Sequence, residues 1–256
     1  MRTRSWIESL RHRGLGLLAA SLAAGVIVAA PGSPSASPPP AVDIDRVPAA
    51  DRLGHLAFDD GTTKPITPED VLWAARMIHG ETGGRPEESD AAAMLWAIAQ
   101  RTRWSPTWRR RSLSDLIQRY SQPINVKWSR DGEYCRKYDG ADQATVPDRC
   151  SESRLRRRDV YRTLPWGKIH PTARRMVLEF AAARVPNPVA GAVGWFARGT
   201  WKDREQAGEN AQEHMLREAE IERNVFFRST RPDTRGWRGA EVVVVGVDGE
   251  RSSVGR

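Results

Sequence analysis

One short stretch carries a residue that could do acid–base chemistry: Ala75-Arg-Met-Ile-His-Gly-Glu81-Thr-Gly-Gly84, with an apolar run to Arg101 behind it. Glu81 stands where an amphipathic helix runs out into glycines. A carboxyl there can lie half-desolvated in a cleft, and desolvation raises its pKa into the range of a general acid near neutral pH. Glycoside cleavage needs such an acid to protonate the leaving oxygen. By residue type alone, the competing role for Glu81 is that of a solvated surface carboxylate. Asp115, Asp131, Glu133 and Asp139 are further carboxylates, and no spacing marks one of them as a partner of Glu81.

Tyr120, Gln122 and Asn125 come just after a helix and offer hydroxyl and amide groups suited to sugar hydroxyls and N-acetyl groups; an ordinary helix-ending turn has the same composition. Trp195, Phe196 and Trp201 could form a wall on which sugar faces stack, or pack in the core. Ten Trp against four Tyr lean the composition toward a carbohydrate site. His79 reads as a packing or hydrogen-bonding residue, and His170, just before Pro171, as a helix cap. The five histidines are dispersed, so no metal constellation and no cofactor is expected.

The elements that must hold these residues are mostly helical. Thr67-Pro68-Glu69-Asp70 is a helix start, with Thr67 as cap, Pro68 at the first helical position and acids at the positive end of the dipole. The apolar period runs through Val71, Leu72, Ala75, Met77 and Ile78 and stops at Gly80, Gly83 and Gly84. A second helix is expected from Glu88 to Arg101 and a third from Ser112 to about Pro123. A further helix begins at Pro171 and stops before Pro186-Asn-Pro188. Residues 124–159 read as a long polar loop carrying both cysteines. Val225–Phe227 and Val242–Val247 are β-prone.

Arg2, Arg4, Arg11 and Arg13 precede the apolar run 14–30, the pattern of a secretory signal or, at this length, of a retained membrane anchor. Either would export residues 32–256 to periplasm, cell wall or medium. A Pro/Ser-rich linker is expected over 31–51, one domain over 52–230 and a C-terminal extension over 231–256. In an exported chain, Cys135 and Cys150 suggest one disulfide, which would stabilise by about 3 kcal/mol in a chain-entropy treatment; two free thiols are the alternative.

The net charge of +8 is concentrated: residues 101–175 hold 19 Lys and Arg against 8 Asp and Glu. Such a block favours a polyanionic partner. The runs Arg109–Arg111 and Arg156–Arg158 read as solvated faces that could hold anionic wall polymers or lipid head groups. Nucleic acid is the competing partner, and export argues against it.

In order, these pieces resemble the spore-cortex-lytic cell-wall hydrolase family, similar to lysozymes and lytic transglycosylases. The family's Ala-Arg-x-Ile-x-x-Glu-x-x-Gly segment is matched by Ala75 to Gly84, and its Ala-rich helix ending near an Arg by Ala91–Arg101. Its proline-rich turn and aromatic strand are matched by Arg184 to Ala192 with Trp195 and Phe196, and its closing aromatic pair by Val225-Phe-Phe-Arg228. The resemblance covers about residues 70–228. It implies a mainly helical, α+β, lysozyme-like domain with minor strands, Glu81 as catalytic acid, and peptidoglycan as substrate. Two departures stand out. Arg85 occupies the place of the family's second Glu, with Glu87 and Glu88 just beyond, and the segment 120–150 is longer and more basic than usual. Ordinary peptidoglycan is therefore expected rather than spore cortex, cleaved by a lone acid as lytic transglycosylase or muramidase. A non-catalytic peptidoglycan-binding protein of the same fold is the alternative.

Overall fold

The computed structural model describes residues 43–104, 110–141, 145–230 and 242–252. These lie in one unit, Ala41–Arg256; the unit Met1–Pro40 lies outside them, and with it the expected signal or anchor. No described helix is long and apolar enough to cross a membrane. The fold is α+β: helices combined with two small antiparallel sheets.

Helix α1, Pro68–Glu81, starts as its sequence dictates. Thr67 Oγ accepts from the Asp70 N–H at 3.1 Å while the Asp70 carboxylate accepts from the Thr67 N–H at 2.9 Å, a reciprocal cap. The same buried carboxylate accepts from the Ser114 N–H at 2.6 Å, so one acid ties the starts of α1 and α3, Leu113–Tyr120. At its other end α1 closes on glycine. Gly83 and Gly84 take φ of +62° and +83°, and the Gly84 N–H reaches back to the His79 carbonyl at 2.7 Å.

Helix α2, Glu88–Arg101, is the spine. Ala91 through Gln100 are buried all round, and the small alanines let neighbours approach closely. Trp96 packs edge-on to Phe180 of α5, Pro171–Ala181, at 5.3 Å, and its indole N–H donates to the Val185 carbonyl at 3.1 Å. Gln100 donates to the Val189 carbonyl at 2.9 Å and accepts from the Gly191 N–H at 2.6 Å, pinning the proline-rich turn that feeds the second sheet. His170 caps α5, its Nδ1 accepting from the Thr172 N–H at 3.2 Å, as its place before Pro171 suggests.

The first sheet has the order β2-β1-β6-β7, with β1 His55–Phe58, β2 Thr63–Pro65, β6 Val242–Val245 and β7 Arg251–Ser252. Leu56 of β1 lies opposite Val244 of β6, both buried. The second sheet has the order β3-β5-β4, with β3 Gly194–Ala197, β4 Met215–Ile221 and β5 Asn224–Ser229. Trp195 lies opposite Phe226 and Phe196 opposite Val225. Two short helices join β3 to β4: α6, Arg198–Gln206, and α7, Glu209–Gln212.

Several expectations shift. Residues 124–159 are not one long loop: they hold short 3-10 turns and the first part of α4, Glu152–Thr163. The inner face of α4 hides from a hydrophobic pattern because Leu155 and the buried Arg158 supply it. Arg158 is thus no solvated cation. Its guanidinium donates to the carbonyls of Gln122 at 3.2 Å, Arg149 at 3.2 Å and Trp128. In the expected linker, Ile44 and Val47 pack on the core, and the Ile44 carbonyl accepts from the Trp166 indole at 3.1 Å and from Arg174 at 2.7 Å. The domain's packing therefore begins before residue 52. Beyond residue 230, β6 pairs with all of β1, so part of the expected extension completes the first sheet. Residues 231–241 and Arg109 lie outside the described residues.

Cys135 and Cys150 form a disulfide with their Cα atoms 5.3 Å apart. It lies with Leu155, Trp128, Tyr138 and Val146 in a small cluster separate from the main core.

Candidate active site

Three elements converge on the carboxyl of Glu81. It is carried by the last residue of α1. From the end of α3 the Ser121 hydroxyl donates to Oε1 at 2.8 Å, and the next backbone N–H, that of Gln122, lies close enough to favour the charged form. From β3 the indole of Trp195 lies close enough to favour its charged form. The residue as a whole is half-buried, but the carboxyl group is surrounded by protein. Burial pushes its pKa up to about 7, against the pull of these three donors, each of which favours the charged form. Near neutral pH the group is therefore divided between acid and carboxylate, the state a general acid/base requires.

Glu81 opens onto a cavity of about 330 Å³. Tyr120, Gln122, Trp195 and Phe196 line it, as do Arg101, Met215 and Asn224. Four of the five residues proposed from sequence to bind sugar are thus brought together with the acid. Asn125 is not among the lining residues. It is buried, its carboxamide oxygen accepting from the Lys127 N–H at 3.0 Å and its nitrogen donating to the Arg119 carbonyl, which makes it a turn cap. The aromatic residues serve two purposes. Trp195 packs on Phe226 with ring centres 6.1 Å apart, and Phe196 stacks on Phe227 at 5.3 Å, while both remain half-buried at the cleft. Trp201 is 2% exposed and belongs to the small core under the second sheet, so it takes no part in the wall. Gly194 is needed there: a Cβ on it would meet Phe227 Cζ at 2.7 Å.

Among the described residues, Glu81 is the one carboxylate lining this cavity. Asp115 is held by Arg111 at 2.7 Å and Arg119 at 2.9 Å; burial pushes its pKa up, but the two guanidiniums outweigh that and hold it below the ordinary carboxylate value. Such a group is a poor proton donor. Glu133 pairs with Lys127 at 3.4 Å, and Asp139 lines a different cavity, of about 220 Å³, beside the disulfide. His79 faces away from the acid's partners. Its Nδ1 accepts from the His170 N–H at 3.1 Å, its ring lies edge-on to Tyr161, and burial, reinforced by the nearby His170, lowers its pKa, so it is a neutral packing residue. Among the described residues no group of three His, Cys, Asp or Glu side chains could hold a metal ion.

Sequence reasoning missed Ser121 and passed over Arg101, Met215 and Asn224. Ser121 sits between two residues it did name, and only the phase of the turn decides which side chain faces Glu81.

The Trp195 indole gives a test of the site's electrostatics. Because its N–H favours the carboxylate, Trp195→Phe keeps a ring in the wall but raises the Glu81 pKa further. The alkaline limb of the pH–rate profile should move to higher pH; an unmoved limb would detach Trp195 from the acid.

No family model matches the chain, and neither a curated protein nor a solved structure matches it.

Proposed function

We propose that the chain is an exported, lysozyme-like glycosidase that cleaves the glycan backbone of peptidoglycan, with Glu81 acting alone as acid and then base. The observation that carries this is a single carboxyl, held at about 7 in a cleft with aromatic walls and, among the described residues, no second carboxylate. The ordered resemblance to cell-wall hydrolases over residues 70–228 supports the choice of substrate. The disulfide fits an oxidising compartment outside the cytoplasm.

The steps balance without an outside reagent. Protonated Glu81 gives its proton to the glycosidic oxygen as the bond from that oxygen to C1 breaks, and positive charge develops on the sugar. The carboxylate left behind is met by donors already in place: the Ser121 hydroxyl, the Gln122 N–H and the Trp195 indole. That carboxylate then takes the proton of the muramoyl 6-hydroxyl, whose oxygen closes on C1. The product is a 1,6-anhydro end, and Glu81 returns to the acid. Hydrolysis by the usual two-carboxylate route would call for a partner about 5–9 Å away, and the described cavity wall supplies none.

Digestion of purified peptidoglycan with the full chain, read by mass spectrometry of the released fragments, tests this. Anhydro-muramoyl ends are expected. Reducing ends would replace transglycosylation by hydrolysis. Tight binding to the wall with no released fragments would leave a non-catalytic wall-binding protein.

A further inference from the structure

Two features of the chain do not line the cleft: the Cys135–Cys150 disulfide and the buried cation Arg158. Both lead back to Glu81. Arg158 lies on the inner face of α4, and Tyr161, three residues on, falls on the same side of that helix. These parts meet the end of α1 at Gly80, the neighbour of Glu81. A Cβ on Gly80 would stand 2.8 Å from Pro123 Cβ and 3.4 Å from Tyr161 Cγ. The turn after α3 and helix α4 are thus packed closely onto the residue beside the acid.

The Arg158 guanidinium fixes that turn. Its Nε donates to the Gln122 carbonyl at 3.2 Å, and its Nη1 donates to the carbonyls of Arg149 at 3.2 Å and of Trp128. On the other side of the turn, the Ser121 hydroxyl donates to Glu81 Oε1 at 2.8 Å, and the Gln122 N–H lies close enough to favour the charged carboxyl. Arg158 therefore grips from behind the residues whose front faces the acid. The other two carbonyls are tied to the disulfide. Cys135 Sγ lies 3.3 Å from the Trp128 oxygen, and Arg149 precedes Cys150. A buried guanidinium is costly unless hydrogen bonds satisfy it. A leucine would fill the same space more cheaply, but only a planar fork of donors gathers carbonyls from three separate stretches onto one point.

We propose that Arg158 is a positioning residue for Glu81: braced by the Cys135–Cys150 disulfide, it holds the Ser121–Gln122 turn against the acid. This rests on the role proposed above for Glu81, and its test is read on the carboxyl itself, apart from cleavage.

The side-chain carboxyl carbon of Glu81, assigned by its absence in Glu81→Gln, is titrated by carbon NMR in the full chain. A turn released from Arg158 no longer presents its donors, while α1 and β3 still bury the group, so the titration midpoint rises. Arg158→Gln should raise it by about one pH unit, the change expected for losing one hydrogen bond to a charged group. Arg158→Lys keeps the charge without the fork and should give a smaller rise. The native chain with its disulfide reduced should also shift upward. Arg149, Arg154, Arg162 and Asp159 near Arg158, and Arg101 and Tyr120 in the cleft, are left in place by every exchange. An unmoved midpoint in folded Arg158→Gln would overturn the proposal. So would a fall, which hydration of a merely shielded carboxyl would give. A native midpoint in Arg158→Lys would do the same, since charge alone would then suffice. Should Arg158→Gln not fold, Arg158→Lys and the reduced chain decide, and an unmoved midpoint in either overturns the brace. A native midpoint at the ordinary 4.5 would sink Glu81 as the acid, and the differences between native and altered chains would still decide Arg158.

Discussion

Glu81→Gln should lower kcat for peptidoglycan cleavage by about 10² to 10⁴-fold, the range a positioned general acid contributes, while leaving KM and sedimentation with the wall little changed. The exchange is nearly isosteric. A carboxamide oxygen can still accept from the Ser121 hydroxyl, so the cleft keeps its shape. What is lost is a proton that can leave near pH 7, and with it both the push on the leaving oxygen and the base that closes the anhydro ring. The matching exchange at Glu133, which pairs with Lys127 and does not line the cleft, is the control and should leave kcat unchanged. Full activity in Glu81→Gln would remove the acid from the mechanism. A fall in binding with unchanged kcat would recast Glu81 as a ligand-binding group.

The helices that carry this site were legible because their ends are written in local chemistry. Thr67, Pro68 and Asp70 start α1, glycines stop it, and the apolar period lies between them. The same holds for the start of α5 behind His170 and Pro171, whereas α2, with no side-chain cap at Glu87 and no glycine after Arg101, was legible from its apolar run alone. Helix α4 was illegible because its buried face is one leucine and one arginine, and Arg158 is held by carbonyls distant in sequence. Of the first sheet, β6 was legible in the β-prone run Val242–Val247, but its partner was not: β1 is four residues long and the pairing of the two spans most of the chain. In the cleft, residue type identified Tyr120, Gln122, Trp195 and Phe196. It could not choose Ser121 over Asn125, since both are small polar groups in one turn and only the turn's phase separates them. Nor could it tell Trp195, half at the cleft, from Trp201, fully in the core.

The acid that makes the cleft useful also makes the protein less stable as pH rises. In the unfolded chain Glu81 titrates near its ordinary value of 4.5, and in the folded chain near 7. Between those values the folded state holds a proton that the unfolded state has released, so the unfolded state binds fewer protons and unfolding free energy falls as pH increases. Below about pH 4.5 both states are protonated and the group contributes nothing; above about pH 7 the full penalty is present. A shift of this size corresponds to about 3 kcal/mol, set by burial of a charge that its neighbouring donors only partly offset. Glu81→Gln carries no charge at any pH. It should therefore unfold with nearly the native stability at pH 4.5 and be more stable than the native protein at pH 8, by up to about 3 kcal/mol, as measured by denaturant midpoints across that range. A variant that is catalytically dead yet more stable at alkaline pH is what a strained functional site gives up when its chemistry is removed. Equal stability of the two proteins at pH 8 would mean that the carboxyl is better hydrated than its surroundings suggest, and the proton it offers at neutral pH would have to come from elsewhere.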